Sequence, residues 1–278
     1  MNNLLKRTLF GILYVVVMVA GITLGLHTFA LLFTIVTALL LMEFYGLLNA
    51  GCNLSVNTTI STLAGVLLFL GVCLSSARSG QEVLFLMPYI LTLIYLLASE
   101  LYRTEGRSFL NWLAAMGGHI YIALPFALLS IINYRLSYGS EAVPKSLALA
   151  VFIFLWVNDT GAYCVGSLLS RRIPYRLFPS ISPKKSWIGS VGGAIVTLIA
   201  ATIFHHFSGG FSLLVWSGLA LVCIVFGTLG DLVESQIKRE IGVKDSGHLL
   251  PGHGGMLDRF DSALLAIPAA LVYLSLIL

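Results

Sequence analysis

An acidic residue at the end of a long apolar run is the first candidate for chemistry. Asp231 closes the eighth apolar run, and three polar residues follow at i+3, i+4 and i+7: Glu234, Ser235 and Lys238. All four share one helical face. Lipid cannot satisfy a polar stripe, so this face must meet protein or water. An i,i+4 pair between Glu234 and Lys238 explains part of the stripe. Acids inside membranes are usually functional, which favours a functional role for Asp231.

A glycine-rich loop and two more acids follow in LPGHGGMLDRFD, residues 250–261. Gly254 and Gly255 allow the backbone to approach a ligand closely and to direct N–H groups at it. Asp258 and Asp261 lie one turn apart on the helix that begins near Asp258. Helix capping explains Asp258 equally well when that residue is considered alone. Carboxylates from two helix ends are the hard oxygen ligands that Mg²⁺ prefers, which favours a metal site.

Two further polar stretches and one isolated acid lie upstream. Asn158 and Asp159 interrupt the sixth apolar run, where an acid costs about 2.5–3.5 kcal/mol on insertion scales, so we expect them in a polar cavity. Lys184 and Lys185 follow a proline and precede a helix start, where N–H groups and ammonium groups can bind phosphates together. Glu43 stands alone near the membrane interface and is interpreted as packing or snorkelling.

The elements that carry these residues must cross a lipid bilayer. The chain has 278 residues, of which 58% are hydrophobic and 10% charged, a composition typical of an integral membrane protein. Runs long enough for a spanning helix predict nine segments, at residues 8–25, 27–48, 58–75, 83–99, 114–133, 146–169, 187–206, 211–236 and 259–277. The predicted fold class is therefore all-α, a polytopic membrane protein with about nine transmembrane helices.

Charge in the loops predicts the orientation of these helices. With the N-terminus in the cytoplasm, thirteen of the 16 Lys and Arg residues fall on the cytoplasmic side and three on the other. This asymmetry follows the positive-inside rule and places the C-terminus outside. Two cytoplasmic loops, 170–186 and 239–258, carry most of the remaining polarity. We therefore expect a transmembrane scaffold in residues 1–145 and a catalytic half in residues 146–278.

Several classes of site are excluded by what the sequence lacks. The four cysteines have no CxxC spacing and lie in or beside apolar runs, which indicates small buried hydrophobes. His248 and His253 have neither cysteine neighbours nor a helical HExxH pattern, so a zinc site is not predicted. No basic tail or aromatic-basic interleaving suggests nucleic-acid binding. The apolar N-terminus lacks a small-residue cleavage site and is interpreted as a retained first span.

Ser235–Asp261, the signature segment, resembles the signature of the phosphatidate cytidylyltransferases (CDP-diacylglycerol synthases). The pattern is S-x-hydrophobic-K-R, four residues, K-D-x-small, then Pro, H-G-G and D-R-hydrophobic-D. The matching positions are Ser235, Lys238, Arg239, Lys244, Asp245, Gly247, Pro251, His253, Gly254, Gly255, Asp258, Arg259 and Asp261. The NDTGAY and SPKK stretches are also similar to the family. Two departures are Ile188, where the family often has Glu, and an Arg-rich segment before Ser182 without the Gly-Lys often found there.

The resemblance implies transfer of CMP from CTP to phosphatidic acid, with Mg²⁺ as cofactor and an active site facing the cytoplasm from the inner (plasma) membrane. It implies Mg²⁺ ligands at Asp231, Asp258 and Asp261, of which Asp261 is a ligand or an orienting residue. The implied catalytic residues also include Lys238, Arg239, Lys244, Asp245 and Arg259. The implied substrate-binding residues are Asn158, Asp159, Ser182, Lys184, Lys185, Ser235, His253, Gly254 and Gly255.

Other functions stay open at this point. A CTP-dependent polyprenol or dolichol kinase would use similar chemistry but would release CDP. A secondary transporter would place charge near the midplane of the bilayer, whereas here it gathers at helix ends. A non-catalytic scaffold is a third alternative. The sequence leaves open the acyl-chain preference, the choice between CTP and dCTP, the number of metal ions and the oligomeric state, a homodimer included.

Overall fold

Long apolar helices make up most of the protein. The structure, a computed structural model, describes residues 3–77, 82–102, 107–136, 147–169, 175–208, 210–247 and 254–278. The first six helices are α1 (Asn3–Thr23), α2 (Leu26–Gly51), α3 (Thr58–Ala77), α4 (Glu82–Ser99), α5 (Ser108–Gly118) and α6 (Leu124–Ser130). The remaining four are α7 (Leu147–Leu169), α8 (Trp187–Ser208), α9 (Leu213–Ile241) and α10 (Leu257–Ile277).

The predicted all-α membrane architecture is confirmed. Within the described residues, eight helical spans are long and apolar enough to cross a membrane, and a shorter apolar stretch at Thr8–Thr23 corresponds to the first predicted segment, 8–25. The protein is thus a multi-pass membrane protein.

The fifth span is longer than the predicted segment 114–133, and it contains two irregular turns. It runs from Ser108 to Arg135 and contains π-helical turns at His119–Ala123 and Ile131–Arg135. Pro125 lies just after the first of these turns and has no N–H to donate to the preceding helical turn. A π turn accommodates that missing hydrogen bond.

A short β-hairpin replaces part of the predicted cytoplasmic loop 170–186. Strand β1 (Arg176–Phe178) pairs antiparallel with β2 (Ser182–Ser186), and α8 follows directly. The Ser186 hydroxyl accepts a hydrogen bond from the Gly189 N–H at 3.2 Å, which caps the start of α8. The hairpin therefore fixes where the SPKK lysines stand relative to the helix.

The chain forms two compact units, and the first contains residues 1–131 and 241–260. Its core is a cluster of phenylalanines from α2, α3 and α6, in which the ring centroids of Phe33 and Phe126 are 5.5 Å apart. Phe260 of the signature segment packs edge-on against Phe126 and against Tyr14 of α1. The start of α10 is thereby held by the N-terminal helices.

The second unit contains residues 132–240 and 261–278. Trp216 of α9 is fully buried against Phe154 of α7 and Phe204 of α8. Helices α7 and α8 pack backbone to backbone, because a Cβ atom on Gly193 would lie only 2.7 Å from the Asn158 carbonyl oxygen. This unit holds Asn158, Asp159, the SPKK hairpin and Asp231. The predicted division into a scaffold 1–145 and a catalytic half 146–278 stays a prediction.

Candidate active site

Helices α9 and α10 approach closely at the point where each carries an aspartate. A Cβ atom on Gly230 would lie 2.5 Å from the Asp261 carbonyl oxygen, so only glycine permits this distance between the two backbones. Asp231 is the next residue on α9, and its carboxylate repels that of Asp261. The structure therefore brings together two of the predicted metal ligands, from two different helices, in the second unit.

A third helix contributes a carboxylate, so that Asp159, Asp231 and Asp261 form a carboxylate cluster. Asp159 of α7 is exposed, and its carboxylate interacts electrostatically with Asp231 and with Lys185. Its neighbour Asn158 is only 4% exposed and faces α8, since a Cβ on Gly193 would lie 2.9 Å from the Asn158 Oδ1. The two residues thus differ: Asp159 belongs to the carboxylate cluster, whereas Asn158 lies in the contact between α7 and α8. The predicted polar cavity wall stays a prediction.

Two lysines lie against the acids of this unit. Lys185 Nζ is 2.7 Å from Asp231 Oδ2, and both side chains are partly exposed. Lys238 Nζ is 2.6 Å from Glu234 Oε2, which confirms the i,i+4 pair expected from the sequence. Glu234 is fully buried, so it holds Lys238 in a fixed position. Lys185 thus places positive charge beside Asp231, whereas Lys238 offsets the charge of Glu234.

The remaining predicted residues of the second unit lie around this cluster. The Ser235 hydroxyl donates a hydrogen bond to Asp231 Oδ1 at 3.2 Å. Ser182 is partly exposed on β2, and Lys184 and Arg239 are exposed. These exposed cations are accessible to a ligand from solution. The substrate and catalytic roles expected for them stay predictions.

The first unit holds the other part of the signature segment, organised around Asp258. Its Oδ2 atom accepts hydrogen bonds from the Ser246 N–H at 3.2 Å and from the Gly255 N–H at 2.8 Å. Gly254 has φ +82°, a left-handed conformation, and a Cβ there would lie 2.7 Å from the same oxygen. Asp258 thus organises the backbone around it in addition to any role toward a metal.

Three charged residues of this unit are exposed, namely Lys244, Asp245 and Arg259. Their roles toward substrate stay predictions. The predicted hydrogen-bond donor His253 lies outside the described residues.

The contacts of Glu43 with the signature segment were not predicted from the sequence. Its carboxylate accepts hydrogen bonds from the N–H groups of Met256 and Leu257, at 2.8 and 3.1 Å, and from the Ser246 hydroxyl. It is neither a snorkelling side chain nor a simple packing residue, because all three partners belong to the signature segment. The available signal was an acid within an apolar run.

The second unit has the donor chemistry that a hard divalent cation requires. Asp159, Asp231 and Asp261 provide carboxylate oxygens from three helices, and oxygen ligands are those that Mg²⁺ prefers. Within the described ranges, no three His, Cys, Asp or Glu side chains converge closely enough to hold an ion as they stand. Asp231 is paired with Lys185 in this arrangement, so its carboxylate would exchange that lysine for a metal.

Comparison with known proteins accounts for this combination of residues. The sequence profile of the cytidylyltransferase family matches residues 5–277, nearly the whole chain. The chain belongs to the cytidylyltransferase family. The match includes the N-terminal helices as well as the signature segment.

Individual members of the family are similar over part of the chain. A phosphatidate cytidylyltransferase of Staphylococcus haemolyticus is 42% identical over 149 residues, which cover 51% of this chain and 56% of that protein. One of Haemophilus influenzae is 46% identical over 127 residues, which cover 44% of this chain and 43% of that protein. The chain thus spans about half the length of the curated relatives it matches.

Proposed function

We propose that this protein transfers CMP from CTP to phosphatidic acid, forming CDP-diacylglycerol and pyrophosphate. The observation that carries the proposal is the cluster of Asp159, Asp231 and Asp261, from three membrane helices, beside Lys185. The carboxylates can bind a divalent cation, and the neighbouring lysines can bind phosphates. Such a site favours a reaction between two polyanions. The signature segment and the names of the similar bacterial proteins support the same reaction.

The chemistry needs no nucleophile from the protein. A phosphate oxygen of phosphatidic acid attacks the α-phosphorus of CTP, and the bond between that phosphorus and the bridging oxygen to the β-phosphate breaks. The electron pair leaves with pyrophosphate. The protein has to hold both anions in line and to neutralise the charge that develops on the leaving group.

The cations of the site supply that neutralisation in our proposal. The hairpin binds the triphosphate of CTP through Ser182, Lys184 and Lys185. The signature cations contact the reacting phosphates: Lys238, Arg239, Lys244 and Arg259. The signature residues His253, Gly254 and Gly255 donate hydrogen bonds to the substrates. Ser235 is a further substrate-binding residue, and Asp245 is proposed as a further catalytic residue. Asn158 and Asp159 form the polar wall beside them.

Mg²⁺ is the proposed cofactor, held by Asp231, Asp258 and Asp261. When bound, it would offset the negative charge of the triphosphate and of the departing pyrophosphate. Asp231 and Asp261 are mutually close in the second unit, which supports a shared cation between them. Asp258 is the third proposed ligand, and this assignment is supported only by the resemblance of the signature segment to the family.

The proposed location is the bacterial plasma membrane, with the active site open to the cytoplasm. CTP is a cytosolic nucleotide and phosphatidic acid is a membrane lipid, so the site has to stand at the inner surface. The positive-inside asymmetry supports this orientation. Membrane lipids are the proposed surroundings and partners, and both a monomer and a homodimer are compatible with the proposal.

Product analysis tests the proposed reaction. Purified protein in lipid nanodiscs is incubated with CTP labelled at the α-phosphate and with phosphatidic acid, with and without Mg²⁺. We expect label in CDP-diacylglycerol, one pyrophosphate released per lipid formed, and no product without the cation. Release of labelled CDP with a polyprenol acceptor would indicate a lipid kinase instead. No product with either acceptor would contradict both enzymatic functions and leave a transporter or a scaffold.

A further inference from the structure

We infer that Glu43 is a positioning residue for the reaction, acting through the signature segment from a helix that carries none of the signature. The inference deepens the proposed function and rests on it. Glu43 lies on α2, and its partners are 203, 213 and 214 residues further along the chain. All of these contacts are inside the first unit.

The carboxylate of Glu43 joins two parts of the segment. Its Oε1 accepts hydrogen bonds from the Ser246 hydroxyl and from the Leu257 N–H, and its Oε2 accepts one from the Met256 N–H. Met256 and Leu257 are at the start of α10, where N–H groups have no partner within the helix. An acid there is stabilised by these donors and by the helix dipole. Glu43 therefore sets the point at which α10 begins.

The glycines around Glu43 are a separate observation that supports the same role. A Cβ atom on Gly255 would collide with Glu43 Oε1 and with the Ser246 hydroxyl, and a Cβ on Gly247 would lie 3.0 Å from the Glu43 carboxyl carbon. Two glycines of the signature therefore leave the space that the Glu43 side chain occupies. Because these glycines have no side chain, the Glu43 carboxylate can approach the backbone of the segment.

The same backbone is also held by Asp258, a residue that we propose as a metal ligand. Ser246 is bound by Glu43 through its hydroxyl and by Asp258 through its N–H, and the Gly255 N–H binds Asp258. Loss of Glu43 would free one side of this arrangement and allow Asp258 to shift. A displacement of about 1 Å in a catalytic group can lower a rate roughly a hundredfold.

Glu43→Gln is the most informative substitution, because it preserves size and removes one acceptor. Whichever way the amide is oriented, its NH₂ group faces the N–H of Met256 or of Leu257. The matched control is Glu100→Gln, since Glu100 is a buried acid of the same unit that accepts a hydrogen bond from Asn111 at 3.2 Å. Both variants are compared with wild type in nanodiscs by thermal unfolding, steady-state kinetics per folded protein, and amide hydrogen exchange.

We expect Glu43→Gln to lower kcat by roughly tenfold to a hundredfold while KM for CTP changes little, because Glu43 would act on the transition-state geometry. Amide exchange should accelerate at residue 246 and at residues 255–258, whereas Glu100→Gln should keep the wild-type kcat and the wild-type exchange at these residues. A purely structural role would instead lower thermal stability without changing kcat per folded protein. Wild-type kcat and wild-type exchange in Glu43→Gln would overturn the inference.

Two further arms keep the test decisive. If Glu43→Gln cannot be obtained folded, Ser246→Ala replaces it, because that change removes one contact to Glu43 and leaves both backbone caps. It should lower kcat by a smaller factor, and an unchanged kcat would overturn the inference. If wild type forms no CDP-diacylglycerol, the proposed function fails on its own, whereas the exchange measurement still tests the contacts of Glu43.

Discussion

The two ion pairs of the second unit differ in how deeply they are buried, and this difference affects how easily each can be broken. Glu234 is fully buried, and its partner Lys238 is buried as well. The side chains of Lys185 and Asp231 are 23% and 31% exposed. A buried pair is costly to break, whereas an exposed pair contributes about 0–1 kcal/mol. Lys185 is therefore free to exchange its partner for a phosphate with little loss of stability.

Replacing Lys185 should thus affect activity far more than stability. For Lys185→Met we expect about a tenfold to hundredfold loss of kcat/KM for CTP, the value of a hydrogen bond to a charged group. Thermal unfolding should stay close to wild type, because the ion pair is partly exposed to solvent. Lys184→Met is the comparison, since Lys184 is exposed on the same strand and has a smaller expected effect. A large drop in melting temperature with unchanged kcat/KM would contradict this assignment.

Residue identities in the site could be predicted, but partners from distant parts of the chain could not. The i,i+4 spacing of Glu234 and Lys238 follows from helix geometry, so that pair was accessible from the sequence. The contacts of Glu43 join positions more than 200 residues apart, and no periodicity encodes them. Lys185 and Asp231 also come from distant segments. Such pairings depend on how the helices pack, which a single sequence does not specify.

Close helix packing is the main structural device at the scale of elements. Glycines on α7 and α8 face each other, and a Cβ on Gly189 or Gly193 would approach backbone oxygens of α7 at 2.9 and 2.7 Å. Small residues at such contacts allow membrane helices to pack through their backbones, where lipid provides no hydrophobic driving force. This contact holds Asp159 on α7 next to the hairpin that precedes α8.

Gly193→Ala should accordingly destabilise the protein. The added methyl group must displace the α7 backbone, and overpacking of this kind costs about 1–3 kcal/mol. Thermal unfolding of the purified variant in nanodiscs measures the loss. Gly11→Ala is the control, because a Cβ on Gly11 has no atom within 4 Å and alanine favours helix. Equal melting temperatures for the two variants would show that α7 and α8 do not depend on this approach.

Helices were predicted well because the bilayer imposes a length and an apolar composition on each. The eighth run was expected to end at residue 236, yet α9 continues to Ile241, where Gly242 with φ +80° terminates it. Polar residues at the membrane surface continue a helix without any hydropathy signal. The β-hairpin was missed for a similar reason, since β2 contains a proline and two lysines and shows no apolar alternation.

Orientation in the membrane connects the site with its substrates at the scale of the whole molecule. Thirteen of 16 basic residues fall on one side of the predicted topology. That asymmetry is the basis of the proposed topology, in which the N-terminus and the proposed active site both face the cytoplasm. A cytosolic nucleotide could then reach the signature segment without crossing the membrane.

Cysteine labelling tests this orientation. Cys52 and Cys164 are exposed, whereas Cys73 and Cys223 are buried. With Cys164 replaced by serine, Cys52 should react with an impermeant maleimide in inverted vesicles and not in right-side-out vesicles.

The opposite side is tested by a matched variant. Ser212→Cys, in a background with Cys52 and Cys164 replaced by serine, places a thiol at the exposed start of α9. It should react only in right-side-out vesicles. The reversed labelling pattern for the two variants would contradict the proposed topology.

The central claim is that carboxylates on α9 and α10 support cytidylyl transfer, and the rate of CDP-diacylglycerol formation by Asp231→Asn and Asp258→Asn tests it most directly. Each variant keeps its side-chain volume, and Glu240→Gln, an exposed change on α9, is the control. At saturating Mg²⁺, CTP and phosphatidic acid, we predict a loss of at least about a hundredfold for both aspartate variants, the scale of losing one transition-state charge interaction. A near-normal rate in either folded variant would contradict the account.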